Sequence, residues 1–450
     1  MSKQATFRID SEQNIWKTLI EETLDKAKAQ GATQAEVGLG VSKGLSVTVR
    51  LGEIETVEFH QDRSFGITVY AGQQKGSAST NDLSRASIEQ TLSAALRIAR
   101  YAEPDPCAGL ADKADLAKEI PDLDLYHPEV LTPEAVSVWA KECEDAAREA
   151  DKRICNSEGA SFGQSENYRL YGNTHGFLAG CPSSSYSLSC AVVAKDAQGG
   201  MQRDHDYTVS RVLQALKKPR VVGIEATDKA VRRLSPQKIT TGRFPVVFSA
   251  DIASGLFASF ASAISGGSLY RHASFLLNKI HQPIFPAWLS IKERPHIKRL
   301  LGSAPFDSEG VATVDRDIVK AGILETYLLS SYSARKLGLK TTGHAGGLHN
   351  WFVSTTCPDL ASVLKTMDKG VYVTELMGFG VNGVTGDYSQ GIAGFWVENG
   401  HIQYPIQEVT IASNLAEMFK QIVAIGGDID TRRNIQTGSV LIESMTVAGN

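Results

Sequence analysis

Between residues 11 and 30 apolar side chains return every three or four positions, at Ile15, Leu19, Ile20, Leu24 and Ala27, and Gly31 follows. That period predicts an amphipathic helix with one inward face, stopped where glycine admits a left-handed backbone. The period then changes to two. Leu45, Val47 and Val49 alternate with Ser46, Thr48 and Arg50; Val57 and Phe59 with Glu58 and His60; Ile67 and Val69 with Thr68 and Tyr70. Such alternation predicts an antiparallel meander with one buried face, and Gly44, Gly52, Asp62 and Gly72 mark its turns.

A second helix is expected from about 84 to 101, with Ile88, Leu92, Leu96 and Ala99 inward. Residues 103–131 are rich in Pro and Asp and should wrap the surface. Thr132-Pro133-Glu134 then opens a third helix with a capping hydroxyl, a first-turn proline and an acid at the positive end. Strands return from Arg153 to about Thr208. A weak echo links Phe65-Gly66, Gly72 and Ser77-Ala78-Ser79 to His175-Gly176, Gly180 and Ser185-Tyr186-Ser187. A duplicated helix–meander unit and chance stand equal on that echo. Helix 222–234 ends at Leu234-Ser235-Pro236, which sets the expected boundary between a domain at 1–235 and one at 236–450.

The second half is strand-rich and glycine-rich. Phe244-Pro245-Val246-Val247-Phe248 is an apolar strand leading into one helix of small residues at 252–265, where Ile252, Leu256, Phe260 and Ile264 form a stripe. Ile318–Glu325 predicts a hairpin turning at Lys320-Ala321-Gly322. Gly394–Val409 predicts another at Glu398-Asn399-Gly400, because Asn-Gly tolerates positive φ at both turn positions. The expected fold class is α+β: an N-terminal helix-plus-antiparallel-meander domain and a C-terminal β-rich sandwich or barrel-like domain.

Charge changes this picture little. The chain of 450 residues has 46 Lys and Arg against 50 Asp and Glu, a formal net charge of −4. Its densest basic runs, Lys217-Lys218-Pro219-Arg220 and Arg232-Arg233, are short and adjoin apolar helix positions, so no nucleic-acid partner is expected. Met1–Thr6 lacks the apolar core of a signal peptide, and no run of eighteen apolar residues occurs, so no membrane span is expected. Six cysteines without a Cys-x-x-Cys pair fit a reduced, cytoplasmic chain.

The candidate chemistry is sparse. No His precedes a Glu anywhere, so a His-Glu zinc motif is excluded. His344 and His349 flank Ala345-Gly346-Gly347-Leu348 and precede Asn350. They could satisfy local carbonyls, contact a peptide brought close by Gly346 and Gly347, or bind a metal, in that order of weight. The loop is taken as solvated. Arg335-Lys336 could hold a substrate carboxylate but reads better as a solvated or salt-bridged pair. Gly378–Gly383 matches a dinucleotide fingerprint, yet turn and strand residues follow it where a helix is required. Asp387-Tyr388-Ser389 could offer a strand edge to an extended peptide or form a tight turn. Asp428 and Asp430 lie too near Arg432 and Arg433 to favour a paired-acid site.

Seven blocks, taken together and in order, resemble the TldD/PmbA family, once named modulators of DNA gyrase. They are Phe65–Tyr70, Ala99–Tyr101 with Pro104–Cys107, Pro305–Gly310, Ser331–Leu339, Thr342–Trp351, Gly386–Ser389 and Gly394–Gly400. In the TldD branch the small-residue helix carries His-Glu-x-x-x-His and a Cys near the C-terminus completes a zinc site. Here Ile252–Tyr270 contains no His, Glu, Asp or Cys, and the matching tail reads Asn434–Ser439. The resemblance therefore points to the PmbA/TldE branch. It implies a metal-free subunit, with no cofactor of its own, in a TldD–TldE-type zinc metallopeptidase. The TldD-like partner would hold the zinc, and this chain would shape the chamber and bind unfolded peptide. Substrate contacts would fall at His344, Gly346, Gly347, His349, Asn350, Asp387 and Tyr388, with no catalytic residue here. A homodimer is expected when the partner is absent. The rival readings are an independent hydrolase using His344 and His349, and a non-enzymatic peptide-binding adaptor.

Overall fold

The computed structural model describes residues 9–449; the Met1–Thr6 segment weighed above lies outside the described residues. The first half is one large sheet covered by helices on one face. Its elements are α1 (Ile9–Ala29), β1 (Gln34–Arg50), β2 (Glu53–Ala71), β3 (Gln74–Thr80), α2 (Arg85–Tyr101), α3 (Pro133–Ala150), β4 (Ile154–Asn173), β5 (Leu178–Lys195), β6 (Met201–Ser210) and α4 (Pro219–Arg232). The strands are antiparallel in the order β3-β2-β1-β4-β5-β6. A helix, three strands and a helix thus occur twice, and the two units meet at β1 and β4.

The alternation along β1 explains this layout. Val37, Leu39, Val41, Leu45, Val47 and Val49 are buried on one face, and Lys43 alone interrupts that series of odd positions as a half-buried residue. Near one end they pack with Trp16, Ile20 and Leu24 of α1 and Ile88 and Leu92 of α2. Near the other end Leu45, Val47 and Val49 pack with Val136 and Ala140 of α3 and Val222 and Ala226 of α4. One long strand therefore serves two cores, which strands of 17 to 20 residues allow. Thr132 caps α3, accepting from the Ala135 amide, as its sequence predicts.

The second half holds a closed barrel. Its elements are β7 (Gly242–Phe248), α5 (Ala250–Ala263), α6 (Gly266–Tyr270), β8 (Ile291–Glu293), β9 (Arg316–Lys320), β10 (Ile323–Leu324), α7 (Ser331–Leu337), β11 (Trp351–Val353), α8 (Leu360–Met367), β12 (Gly370–Met377), β13 (Asp387–Glu398), β14 (His401–Asn414), α9 (Leu415–Lys420), β15 (Ile422–Ile425), β16 (Ile435–Gln436) and β17 (Val440–Ala448). Strands run β14-β13-β12-β7-β17, and β17 pairs back onto β14 through Thr410–Ala412, closing five strands; β15 is added on β17. A smaller sheet has the order β10-β9-β8-β11-β16. Both expected hairpins form, with positive φ at Ala321 and Gly322 and at Asn399 and Gly400.

Several expectations need correction. Ile15 is exposed and Trp16 takes its inward place on α1, because the face is fixed by contact with Tyr168 across the sheet. Gly44 and Asp62 lie within β1 and β2, not at turns; the turns are Leu51-Gly52 and the pair after Ala71. Val57 and Phe59 are exposed. The last N-terminal helix spans 219–232. The small-residue helix breaks at Ile264, and Ser265 caps the separate α6 by accepting from the Ser268 amide. Among the described residues no helix is long and apolar enough to cross a membrane.

Candidate functional site

β7 delivers the chain into α5 at one end of the barrel. Leu256, Phe257 and Phe260 face inward, and the Phe260 ring lies 5.0 Å from Phe285, 5.7 Å from Phe419 and 6.0 Å from Trp351. Gly255, Ala258 and Ser262 face outward. The helix presents no imidazole, carboxylate or thiolate after Asp251, so it cannot supply the nitrogen, oxygen or sulfur set that zinc requires. Among the described residues no group of three His, Cys, Asp or Glu side chains is placed to hold a metal ion.

Behind α5 lies a polar centre built on Glu293, at the end of β8. One of its oxygens meets His344 Nε2 at 2.9 Å; the other accepts from the His349 amide and from Trp351 Nε1, each at 3.0 Å. The Arg316 guanidinium stands 3.7 Å away. Burial pushes the Glu293 carboxyl up, but the His344 hydrogen bond and the nearby charges outweigh it and hold the carboxyl below its ordinary range. Burial lowers the His349 pKa. His344 Nδ1 contacts Thr342 Oγ1 at 2.8 Å, His349 Nε2 contacts the Gly343 carbonyl at 3.1 Å, and the Asn350 amide bonds Gly302, Arg294 and Ser303.

This corrects the reading of a solvated loop. His344, His349 and Asn350 are all buried, and their polar atoms serve the fold. Only the loop apex, Gly346-Gly347, reaches the surface. Both apex glycines have positive φ, and a Cβ on Gly346 would stand 2.6 Å from Ser308 Oγ. The apex therefore rests on the 307–310 turn. There Asp307 accepts from the amides of Ala345, Glu309 and Val311, yet burial raises its pKa to about 6.

The strand-edge reading of Asp387-Tyr388-Ser389 also fails. One side of this backbone pairs with Ser413 and Asn414 of β14. The other is taken by Val381 and by the Gly380 carbonyl, which accepts from the Ser389 amide at 2.7 Å. Asp387 stays exposed. Tyr388 is buried against Phe248, and its hydroxyl has no hydrogen-bond partner among the described residues. The Gly378–Gly383 run is the loop joining β12 to β13, and no helix follows it. Asp428 accepts from Ser439 and Asp430 pairs with Arg432, so these acids fix a turn.

Two surfaces escaped sequence reasoning. A cavity of about 330 Å³ opens where the two halves meet, between Glu36, Tyr70 and Lys75 of the large sheet, the 102–111 segment, and Glu309 and Tyr332. Glu36 accepts from Tyr171 at 2.7 Å and from Tyr70 at 3.3 Å; burial raises its pKa and Glu309 adds to the rise. Tyr332 and Lys336 hold Asp105 at the rim, at 2.7 and 3.0 Å, and bring its pKa to about 2. Of the two states expected for the Arg335-Lys336 pair, solvated or salt-bridged, the second is the one found, with Lys336 on Asp105 and Arg335 on Asp112. Arg335 clamps the carbonyls of Cys107, Gly109 and Leu110. The second surface is the helix-free face of the large sheet. It is paved with short side chains, among them Gly40, Ser42, Ser46, Gly163, Ser165, Ser185 and Ser187.

Residues 35–99, 126–234 and 241–449 match the family models for PmbA/TldA metallopeptidase domain 1, central domain and C-terminal domain. The chain is 49% identical over 442 residues to metalloprotease PmbA of Escherichia coli O157:H7, covering 98% of each. It belongs to the PmbA/TldD metallopeptidase family. A Bacteroides thetaiotaomicron protein crystallised as a candidate modulator of DNA gyrase superposes with a TM-score of 0.91 at 29% identity, over 96% of this chain and 99% of that one. TldE from Thermococcus kodakarensis has the same fold, with a TM-score of 0.81 at 19% identity over 96% of this chain and all of that one. The PmbA/TldD blocks quoted from the sequence map onto the structural joints just described: Pro305–Gly310 is the turn under the apex, Ser331–Leu339 carries the Arg335 clamp, and Thr342–Trp351 carries the Glu293 ligands.

Proposed function

We propose that this chain is the zinc-free subunit of a two-component peptidase of the PmbA/TldD family, acting in the cytoplasm on unfolded peptide. The observation that carries the reading is α5. The family is a metallopeptidase family, yet the outward face of this helix is Gly255, Ala258 and Ser262, which offer close approach and no metal ligand. The zinc, its water and the proton-moving carboxylate then belong to a TldD-like partner. This chain contributes a wall. Small side chains on α5 and on the Gly/Ser-paved sheet face leave room for an extended backbone without gripping particular side chains. The exposed members of the peptide-contact set are Gly346, Gly347 and Asp387. His344, His349, Asn350 and Tyr388 position them from below.

The hydrolase reading at His344 and His349 gains nothing from the geometry, because their bonded nitrogens face Glu293, Thr342 and Gly343. The test is co-expression with the TldD-like protein of the same organism. An unfolded peptide should be cleaved by the pair and not by this chain alone, and the zinc should follow the partner in elemental analysis. Cleavage by this chain alone, or one zinc per chain after metal-free dialysis, would refute the proposal.

A further inference from the structure

The core that lies under α3 and α4 does not stop where its cover stops. Across the β1–β2 ladder, Leu45 faces Phe59, Val47 faces Val57 and Val49 faces Ile54. The β1 members are buried, whereas Phe59 is 67% exposed, Ile54 52% and Val57 42%. The bulge at Thr48/Val49 keeps Ile54 on the same face as Val57 and Phe59. An apolar stripe thus runs out to the margin of the sheet.

The margin itself is open. β3 occupies the outer edge of β2 only from Phe65 onward, and among the described residues no strand pairs with the outer edge of Glu53–Ser64. An open strand edge with an exposed apolar stripe is a template for another strand.

We propose that a second copy of this chain occupies the edge, with the two β2 strands antiparallel across a two-fold axis at Phe59. This goes beyond the peptidase reading and does not depend on it. Three features of the strand select the occupant and the register. First, the axis at Phe59 lets residues 54–64 of each copy pair, which fills the open edge up to the place where β3 begins. Second, it sets Glu58 opposite His60 and Glu55 opposite Arg63, twice each by symmetry. An axis one residue earlier would oppose Glu58 to itself, and one residue later would oppose Glu58 to Asp62. Third, it sets Phe59 against Phe59 and merges the two exposed stripes into one covered strip. Glu55 already meets Arg50 within the chain at 3.4 Å in the open, so its cross-strand pairing is the weaker of the two. The assembly is one sheet continuous through both molecules.

The experiment uses the full chain without any partner. Phe59→Cys places two sulfurs directly opposite each other, at the Cα separation of facing antiparallel residues, which lies within disulfide range. Mild oxidation should give a covalent dimer whose cross-link joins position 59 of one copy to position 59 of the other, and the wild-type chain under the same conditions should not give it. Light scattering at tens of micromolar should show a wild-type dimer. Phe59→Glu should weaken it about tenfold or more while melting normally, since the side chain is solvent-facing in the monomer. Glu58→Lys should also weaken the dimer, and adding His60→Glu should restore it. A monomeric wild type overturns the proposal. So does a dimer that Phe59→Glu leaves intact, or one in which the Phe59→Cys chain fails to cross-link at that position, because the interface then lies elsewhere.

Discussion

Glu293 is removed from water and still ionised, which requires several donors at once. Its two oxygens accept from His344, the His349 amide and Trp351 Nε1, so Glu293→Ala strands three buried donors beside α5. The expected loss is about 3–5 kcal/mol of unfolding free energy, measured by denaturant titration. A loss under about 1 kcal/mol would show that the centre is not what holds the loop. The pH dependence follows from the shifts. The folded pKa of His349 lies below its ordinary 6.5, so its contribution is complete above that pH and is lost as pH falls below it. Glu293 contributes above its ordinary 4.5 and loses that contribution as pH drops further. Asp307 works in the other sense: raised from 3.8 to about 6, it favours the fold at low pH and loses that contribution as pH rises through 6. Asp307→Asn should therefore steepen the loss of stability between pH 6 and 4, and His349→Gln should flatten the loss that begins below 6.5. Melting temperatures across pH 4–7.5 would check both signs. None of this was readable from the histidines and glycines of the loop, since Glu293 lies more than fifty residues upstream and local spacing carries no sign of it.

Among the elements, those with a strong period were legible and those set by distant contact were not. The helix 84–101, the Thr132 cap and both positive-φ hairpins follow from residues within a few positions of one another. The length of β1 and β2 was missed, because Gly44 and Asp62 imitate turns; here Gly44 is needed as a strand residue, with the His60 ring lying where a Cβ would project. The 103–131 segment forms neither helix nor strand, as its Pro- and Asp-rich sequence predicts, but its path is fixed by α7. Arg335 reaches three of its carbonyls and Asp112, while Tyr332 and Lys336 hold Asp105. Arg335→Ala should free the strap while leaving the two cores folded. Limited proteolysis should then cut between Glu103 and Leu131 at least about tenfold faster than in the wild type, which corresponds to roughly 1.4 kcal/mol of lost local protection. Equal rates would mean that the buried Leu110, Leu116, Leu123 and Leu125 hold the strap without the clamp.

At the scale of the molecule, the alternation rule predicts a sheet in the first half and a sandwich or barrel-like shell in the second, but it cannot say how they meet. They meet largely through polar contacts: Arg432 joins Asp206 at 3.1 Å, Arg169 bonds Ser308 and the Phe306 carbonyl, and Gln202 meets Gln407. One apolar patch sits among them. Phe306 packs edge-on against Phe177 at 5.1 Å, with Tyr171, Ala179, Leu116 and Val311 around it. Arg169 also covers the Phe306 ring at 5.2 Å. Because Phe306 belongs to the second half and its neighbours Tyr171 and Phe177 to the first, truncating it removes the contact that makes the halves unfold together without entering either main core. Phe306→Ala should cost about 3–5 kcal/mol and split a single calorimetric transition into two, the barrel and the large sheet melting separately. The cavity lined by Glu36 and Glu309 spans the same junction, so the variant should also loosen it, visible as faster hydrogen exchange at Tyr70 and Ala111. If Phe306→Ala melts in one transition at a lower temperature, the polar bridges alone couple the halves, and Arg432→Ala becomes the substitution that should separate them.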